Sequence, residues 1–140
     1  MNILTIGGSD TSSGAGIQSD IKMFSNNGFY PFTVITAITS QNTKKITSIE
    51  PVSMRSLESQ MESVLSDFHI DAAKIGMVFN SQNIKTIHSK LKNSKFPIVV
   101  DPIIKSTTGR LLLKRNALPD YRKMIIPLGE LIICTYLVSL

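Results

Sequence analysis

Apolar residues along this chain alternate between two spacings, and the places where the spacing changes mark its elements. Asn2 to Ile6 is a short apolar run that reads as a strand breaking into a glycine- and serine-rich loop at Gly7. Ile17, Ile21 and Phe24 then recur at helical intervals until Asn26-Asn27-Gly28 supplies a stop. Thr33 to Thr39 is rich in β-branched residues and predicts a buried strand that leaves at Ser40-Gln41-Asn42, with Ile46 to Ile49 a short further strand. Ser53 suits an N-cap, and Met54, Leu57, Met61, Val64, Leu65 and Phe68 form one apolar stripe expected to pack in the core. Ala72 to Ile75 reads as a strand ending at Gly76-Met77, after which Asn80 or Ser81 opens a helix with Ile84, Ile87 and Leu91 inward. Phe96 to Val100 is another strand, stopping at Asp101-Pro102. A polar loop from Lys105 to Arg110, an apolar Leu111-Leu112-Leu113 and a last strand within Leu128 to Cys134 follow.

Strands alternating with helices, without repeats or low-complexity linkers, predict an α/β fold whose mainly parallel sheet carries helices on both faces. Ligands bind such sheets beyond the carboxyl ends of the strands, and Ser9, Asp10, Gln41, Met77 and Asp101 all fall at such ends. Gly7, Gly8, Gly14 and Gly16 let backbone approach a ligand closely, while Ser9, Asp10, Ser12 and Ser13 add hydroxyl and carboxylate partners. Gly14-Ala15-Gly16 is followed by Ile17-Gln18 rather than Lys-Ser/Thr, which excludes a Walker-type loop; the dinucleotide fingerprint lacks its second half. A serine-rich turn that only caps a helix stands beside the ligand-loop reading.

At 140 residues and 42% apolar content the chain has material for one domain with a proper core. Its single cysteine, Cys134, rules out an internal disulfide and suggests a reducing compartment, hence a cytoplasmic location; the thiol itself is expected to be buried and inert. No basic leader precedes the first strand and the apolar tail from Leu131 to Leu140 is about half a membrane span, so no membrane partner is expected. The net charge of +5 sits in the second half, where residues 71 to 140 hold 11 Lys/Arg against 4 Asp/Glu. No aromatic residues are interleaved with those cations for base stacking, so no nucleic-acid partner is expected. His69 and His88 lack Cys or carboxylate neighbours at metal-ligand spacing and are read as surface residues.

Four segments then occur in a recognisable order: Gly8-Ser9-Asp10-x-Ser12-x-Gly14-Ala15-Gly16-Ile17-Gln18-x-Asp20, Val34-Ile35-Thr36-Ala37-Ile38-Thr39-x-Gln41-Asn42-Thr43, Lys74-Ile75-Gly76-Met77 and Val99-Val100-Asp101-Pro102. Together they closely resemble the hydroxymethylpyrimidine and phosphomethylpyrimidine kinases of thiamine biosynthesis, over nearly residues 1 to 133. The resemblance implies a ribokinase-like fold, with residues 1 to 140 as a single partial domain. It also implies ATP- and Mg2+-dependent phosphorylation of 4-amino-5-hydroxymethyl-2-methylpyrimidine and then of its monophosphate. A side-chain amide offers one acceptor and one donor together to an aminopyrimidine edge, which suits Gln41. By the resemblance Asp20 sits near the substrate hydroxymethyl group, Met77 packs on the ring, and backbone around Gly8, Ala15 and Ile103 lines the pocket. Asp101 is expected in the magnesium and phosphate region, and Lys105 in a loop near the phosphates. Gln41 as a strand-end cap, Asp20 as a helix-dipole partner, Met77 as core and Lys105 as a solvated surface residue remain alternatives.

The resemblance stops near the end. The Thr-Pro-Asn-x-x-Glu that the family carries after the strand at Leu131 to Ile133 is replaced here, with Tyr136 in the Asn place and Ser139 in the Glu place. The Gly-Thr-Gly-Cys type loop that supplies the family's anion hole and catalytic base does not follow, and Cys134 is not its cysteine. The expectation is a truncated chain that keeps a pyrimidine pocket but has little or no kinase activity by itself. Its expected partners are the aminopyrimidine alcohol and ATP, together with either a homodimer or a complementing C-terminal fragment. A pyridoxal-type vitamin kinase and a noncatalytic pyrimidine-binding module are the competing readings.

Overall fold

The computed structural model describes residues 1–133. Among the described residues six strands form one sheet in the order β3-β2-β1-β4-β5-β6, with β1 Asn2–Asp10, β2 Tyr30–Gln41, β3 Ile46–Pro51, β4 Ala72–Ile75, β5 Ile98–Val100 and β6 Leu131–Ile132. Every neighbouring pair is parallel except β2 and β3, which run antiparallel as a hairpin at the edge. Helix α1 (Gly16–Asn26) joins β1 to β2, α2 (Met54–Asp67) joins β3 to β4, and α3 (Ser81–Leu91) joins β4 to β5.

Alternation along the strands decides which helix lies on which face. Leu4 and Ile6 of β1, Ala73 and Ile75 of β4, and Ile98 and Val100 of β5 share a core with Leu57 and Met61 of α2 and Ile84, Ile87 and Leu91 of α3. The residues between them point the other way: Thr5 of β1 and Lys74 of β4 both hydrogen-bond Asp20 of α1. Helix α1 therefore covers the opposite face. Strand order reverses at β1, whose chain leaves to α1 on one face while the chain after β4 leaves to α3 on the other. This switch point opens a crevice beyond the carboxyl ends of the two central strands.

Several boundaries differ from the sequence reading, each for a tertiary reason. β1 continues through Gly7 to Asp10 instead of ending at Ile6, because β2 pairs with it as far as Asp10 opposite Thr39, with a register shift between Gly7 and Gly8. Met54 and Phe68, read as core, are both 45% exposed; Phe68 has left the helix and stacks its ring 4.4 Å from that of Phe32. The last strand is only Leu131–Ile132, since Leu128 closes a helical segment that the sequence reading missed. That segment changes pitch along its length, with 3-10 turns at Arg115–Ala117 and Ile126–Leu128 around a single α turn and a π turn at Tyr121–Ile125. Ala117, Tyr121 and Ile125 bury its inner side against the main core. Cys134, expected as a buried thiol, lies outside the described residues. Among the described residues no helix is long and apolar enough to cross a membrane.

Candidate functional site

The crevice at the switch point is a cleft of about 80 Å³, open to solvent. Its walls come from the end of β1 (Gly7, Gly8, Ser9, Asp10), the start of α1 (Ala15, Gly16, Asp20), the end of β2 (Thr39, Gln41), the end of β4 (Lys74, Gly76, Met77) and the segment after β5 (Ile103, Leu112). Gly8, Ala15, Asp20, Gln41, Met77 and Ile103, which are as much as 95 positions apart in the chain, all line it.

Two glycines make the close approaches possible. A Cβ on Gly8 would lie 2.9 Å from the Met77 sulfur, so the Met77 side chain rests directly on the Gly8 backbone. Gly16 has φ +59°, and a Cβ there would lie 2.3 Å from the Gly8 carbonyl oxygen. The first turn of α1 can therefore sit against β1 only with glycine at this position. Met77 shares a small apolar cluster with Ala37 and Leu112, to which Phe79 and Ile103 add partly buried surface. Behind it, Thr36 Oγ1 donates to the Met77 carbonyl at 2.6 Å, and the buried Asn83 amide donates to the carbonyls of Thr36 and Val78, each at 3.0 Å. Phe79 is held in the left-handed region at φ +70° next to these anchored carbonyls.

The polar rim is organised by Asp10, which is 3% exposed. Its carboxylate accepts the backbone N–H groups of Ser12 (2.8 Å), Gly14 (3.1 Å) and Ala15 (2.8 Å), and the Ser12 hydroxyl at 2.8 Å. Burial acts against the Asp10 charge, but the bonds from Ser12, Ala15 and the Gln41 side chain outweigh it and hold the carboxyl below the usual range. Gln18 completes the frame: its carbonyl accepts Asp10 N–H at 2.8 Å and its amide donates to Ser9 Oγ at 2.7 Å. Thr11 Oγ1 donates to the Gln41 carbonyl and accepts the Gln41 N–H, which ties the end of β2 to the loop.

On the α1 face, Lys74 Nζ lies 2.6 Å from Asp20 Oδ1 and 3.8 Å from Asp101 Oδ2. Thr5 Oγ1 donates to Asp20 Oδ2 at 2.5 Å. Burial pushes the Asp101 carboxyl up; Lys74 draws it back down, and the Asp20 charge adds to the rise. Asp101 stands behind Lys74 rather than among the cleft-lining residues, and Lys105 lies outside them on an exposed hairpin bridged to Leu111. The sequence reading passed over Lys74, Thr5 and Gln18 as site residues. A lysine in the middle of a short apolar strand was the available signal for Lys74.

Residues 10–135 match the family model described as phosphomethylpyrimidine kinase. A hydroxymethylpyrimidine/phosphomethylpyrimidine kinase of Rhizobium meliloti is 43% identical over 126 residues, covering 90% of this chain and 47% of the relative. One of Haemophilus influenzae is 37% identical over 131 residues, covering 93% and 49%. The crystal structure of phosphomethylpyrimidine kinase from Clostridium difficile superposes with a TM-score of 0.87 at 44% identity, over 94% of this chain and 58% of that one. A Bacillus subtilis pyridoxal kinase, solved as an ADP complex, superposes with a TM-score of 0.80 at 27% identity, over 94% and 48%. The fold is that of the ribokinase-like kinases, and the chain spans about half the length of the curated relatives it matches. Matched over nine-tenths of its length, the chain belongs to the phosphomethylpyrimidine kinase family.

Proposed function

We propose that this chain forms the aminopyrimidine-alcohol half of a hydroxymethylpyrimidine/phosphomethylpyrimidine kinase active site. The observation that carries the reading is the convergence of Gly8, Ala15, Asp20, Gln41, Met77 and Ile103 on one cleft whose walls are apolar and whose rim is polar. Met77 and Ile103, with the Gly8 backbone beneath Met77, form an apolar wall against which a flat ring can pack. Thr11 fixes the Gln41 backbone at both its N–H and its carbonyl, and the Gln41 side-chain amide offers an acceptor and a donor to read the amino and ring-nitrogen edge. In this reading a remaining lone pair of Asp20 accepts the hydrogen bond of the substrate hydroxymethyl group.

ATP and magnesium belong to the reaction the family name implies. Magnesium takes one or two carboxylates together with substrate phosphates, and among the described residues no three metal-binding side chains converge. In this reading an ion would be held chiefly by nucleotide phosphates, with Asp101, which stands beside Lys74 outside the cleft lining, as the carboxylate the family resemblance assigns to it, and it would supply charge neutralisation on the phosphoryl oxygens. Lys105, on an exposed hairpin outside the cleft lining, is assigned to the phosphate region by the family resemblance of its loop alone. Cytoplasmic location, and either a homodimer or a complementing second half, are part of this proposal. The chain alone then binds the alcohol and transfers phosphate poorly, because no described group offers an anion hole.

Calorimetric titration of the purified chain with hydroxymethylpyrimidine, followed by a phosphotransfer assay on the same preparation, tests the proposal. One-to-one binding that Gln41→Leu weakens about tenfold supports it. Absence of binding, or turnover at the rate of an ordinary kinase, overturns the respective half. A pyridoxal-type reading draws on the pyridoxal kinase likeness, and tighter binding of pyridoxal than of the aminopyrimidine would favour it.

A further inference from the structure

We propose that Lys74 is a positioning residue of this cleft: its ammonium fixes the direction of the Asp20 carboxylate and holds Asp101 beside it, so that the polar floor meets a ligand as one unit. The role takes its ligand from the aminopyrimidine-alcohol reading and its geometry from the fold alone. Three strands and a helix meet at this point. Thr5 on β1, Lys74 on β4 and Asp101, next after Val100 of β5, point to the α1 face, where Asp20 lies in the second turn of the helix.

Both Asp20 oxygens are engaged by protein donors: Thr5 takes Oδ2 at 2.5 Å and Lys74 takes Oδ1 at 2.6 Å. A carboxylate gripped at both oxygens has one orientation, and its remaining lone pairs face a fixed direction. The ammonium is restricted in turn, because the Lys74 side chain is only 22% exposed and its second charged neighbour, Asp101, lies 3.8 Å away. Without the lysine, two partly buried carboxylates would face each other uncompensated. Each would turn toward water and away from the arrangement that shapes the floor. Burial pushes the Asp101 carboxyl up, Lys74 draws it down, and the Asp20 charge adds to the rise, in keeping with two carboxylates that share one cation.

The test uses the full chain and three variants: Lys74→Met, Asp101→Asn and the pair. Methionine keeps the length of the stem and removes the charge. Lys74→Met is expected to weaken calorimetric binding of hydroxymethylpyrimidine by about ten- to a hundredfold with circular dichroism unchanged. The double variant, which removes one carboxylate with its cation, is expected to regain most of that loss, whereas a lysine acting by its own contact with the ligand would give no recovery. Equal binding by wild type and Lys74→Met overturns the inference, and so does a double variant no better than the single one. If wild type itself fails to bind, the functional reading fails and the positioning role is judged on thermal unfolding of Lys74→Met, Asp20→Asn and their pair. Shifts in Tm that depart from additivity support it, and additive shifts overturn it.

Discussion

The Asp10 carboxylate accepts the Ala15 N–H at 2.8 Å, so a single side chain spans the turn that joins the last residue of β1 to the start of α1. None of the five residues between the two elements, Thr11 to Ala15, is buried. The loop has no core of its own, and its shape rests on this charge and the N–H groups directed at it.

Replacing Asp10 with Asn therefore carries a pH signature. Hydrogen bonds hold the Asp10 carboxyl below its ordinary value in the folded protein, so its stabilising contribution is complete above the unfolded value of about 4. It is lost as pH falls through the lower folded value. Urea unfolding of wild type and Asp10→Asn from neutral to strongly acidic pH checks this. The stability gap should be constant near neutrality and narrow in acid; a gap that persists unchanged into strong acid contradicts the assignment.

Gly16→Ala and Gly28→Ala separate close packing from backbone conformation. Both glycines have positive φ, at +59° and +78°, so alanine strains the backbone at either by about 1–2 kcal/mol. Only Gly16 also faces an obstacle, the Gly8 carbonyl oxygen 2.3 Å from the added carbon, whereas nothing lies within 4 Å at Gly28. Thermal unfolding should show Gly16→Ala as clearly the worse of the two, by about 1–3 kcal/mol beyond the shared strain. Equal losses would mean that α1 does not sit as closely on β1 as described.

Asn83 is buried, and its amide holds the carbonyls of Thr36 and Val78. Asn83→Ala removes both bonds and opens a small void, with an expected cost of about 2–4 kcal/mol in chemical unfolding. Because Val78 follows Met77, the same change should weaken ligand binding although residue 83 does not line the cleft. Unchanged stability would show that these carbonyls find other partners.

Leu57→Ala is expected to cost about 2–5 kcal/mol, because Leu57 is fully buried between α2 and the sheet. Met54→Ala should stay within about 0.5 kcal/mol, since Met54 is exposed. Urea unfolding of the pair checks how far the apolar stripe of α2 reaches the core.

That pair also illustrates what local sequence reveals. Periodicity located α2 and its Ser53 cap, whose hydroxyl accepts the Ser56 N–H as expected, but the ends of the stripe depend on where the sheet stops beneath the helix. The extension of β1 through two glycines was hidden for the same reason: pairing with β2, not propensity, keeps Gly7 and Gly8 in a strand. Pro119 and Pro127 masked the helical segment from 115 to 128, although Ala117, Tyr121 and Ile125 recur on its buried side. Strand-end positions placed Ser9, Asp10, Gln41 and Met77 together because a parallel sheet gathers such ends at one edge, whereas Asp101, grouped with them, lies outside the cleft lining. Lys74 escaped because its partner Asp20 is 54 positions away and only strand alternation turns the two toward each other.

The most direct measurement of the central claim is a crystal structure of this chain with hydroxymethylpyrimidine bound. The account predicts the ring lying against Met77 in the cleft, its amino edge on the Gln41 amide and its hydroxymethyl group toward Asp20. A ring bound elsewhere, or seated in the cleft without contact to Gln41 and Asp20, would contradict it.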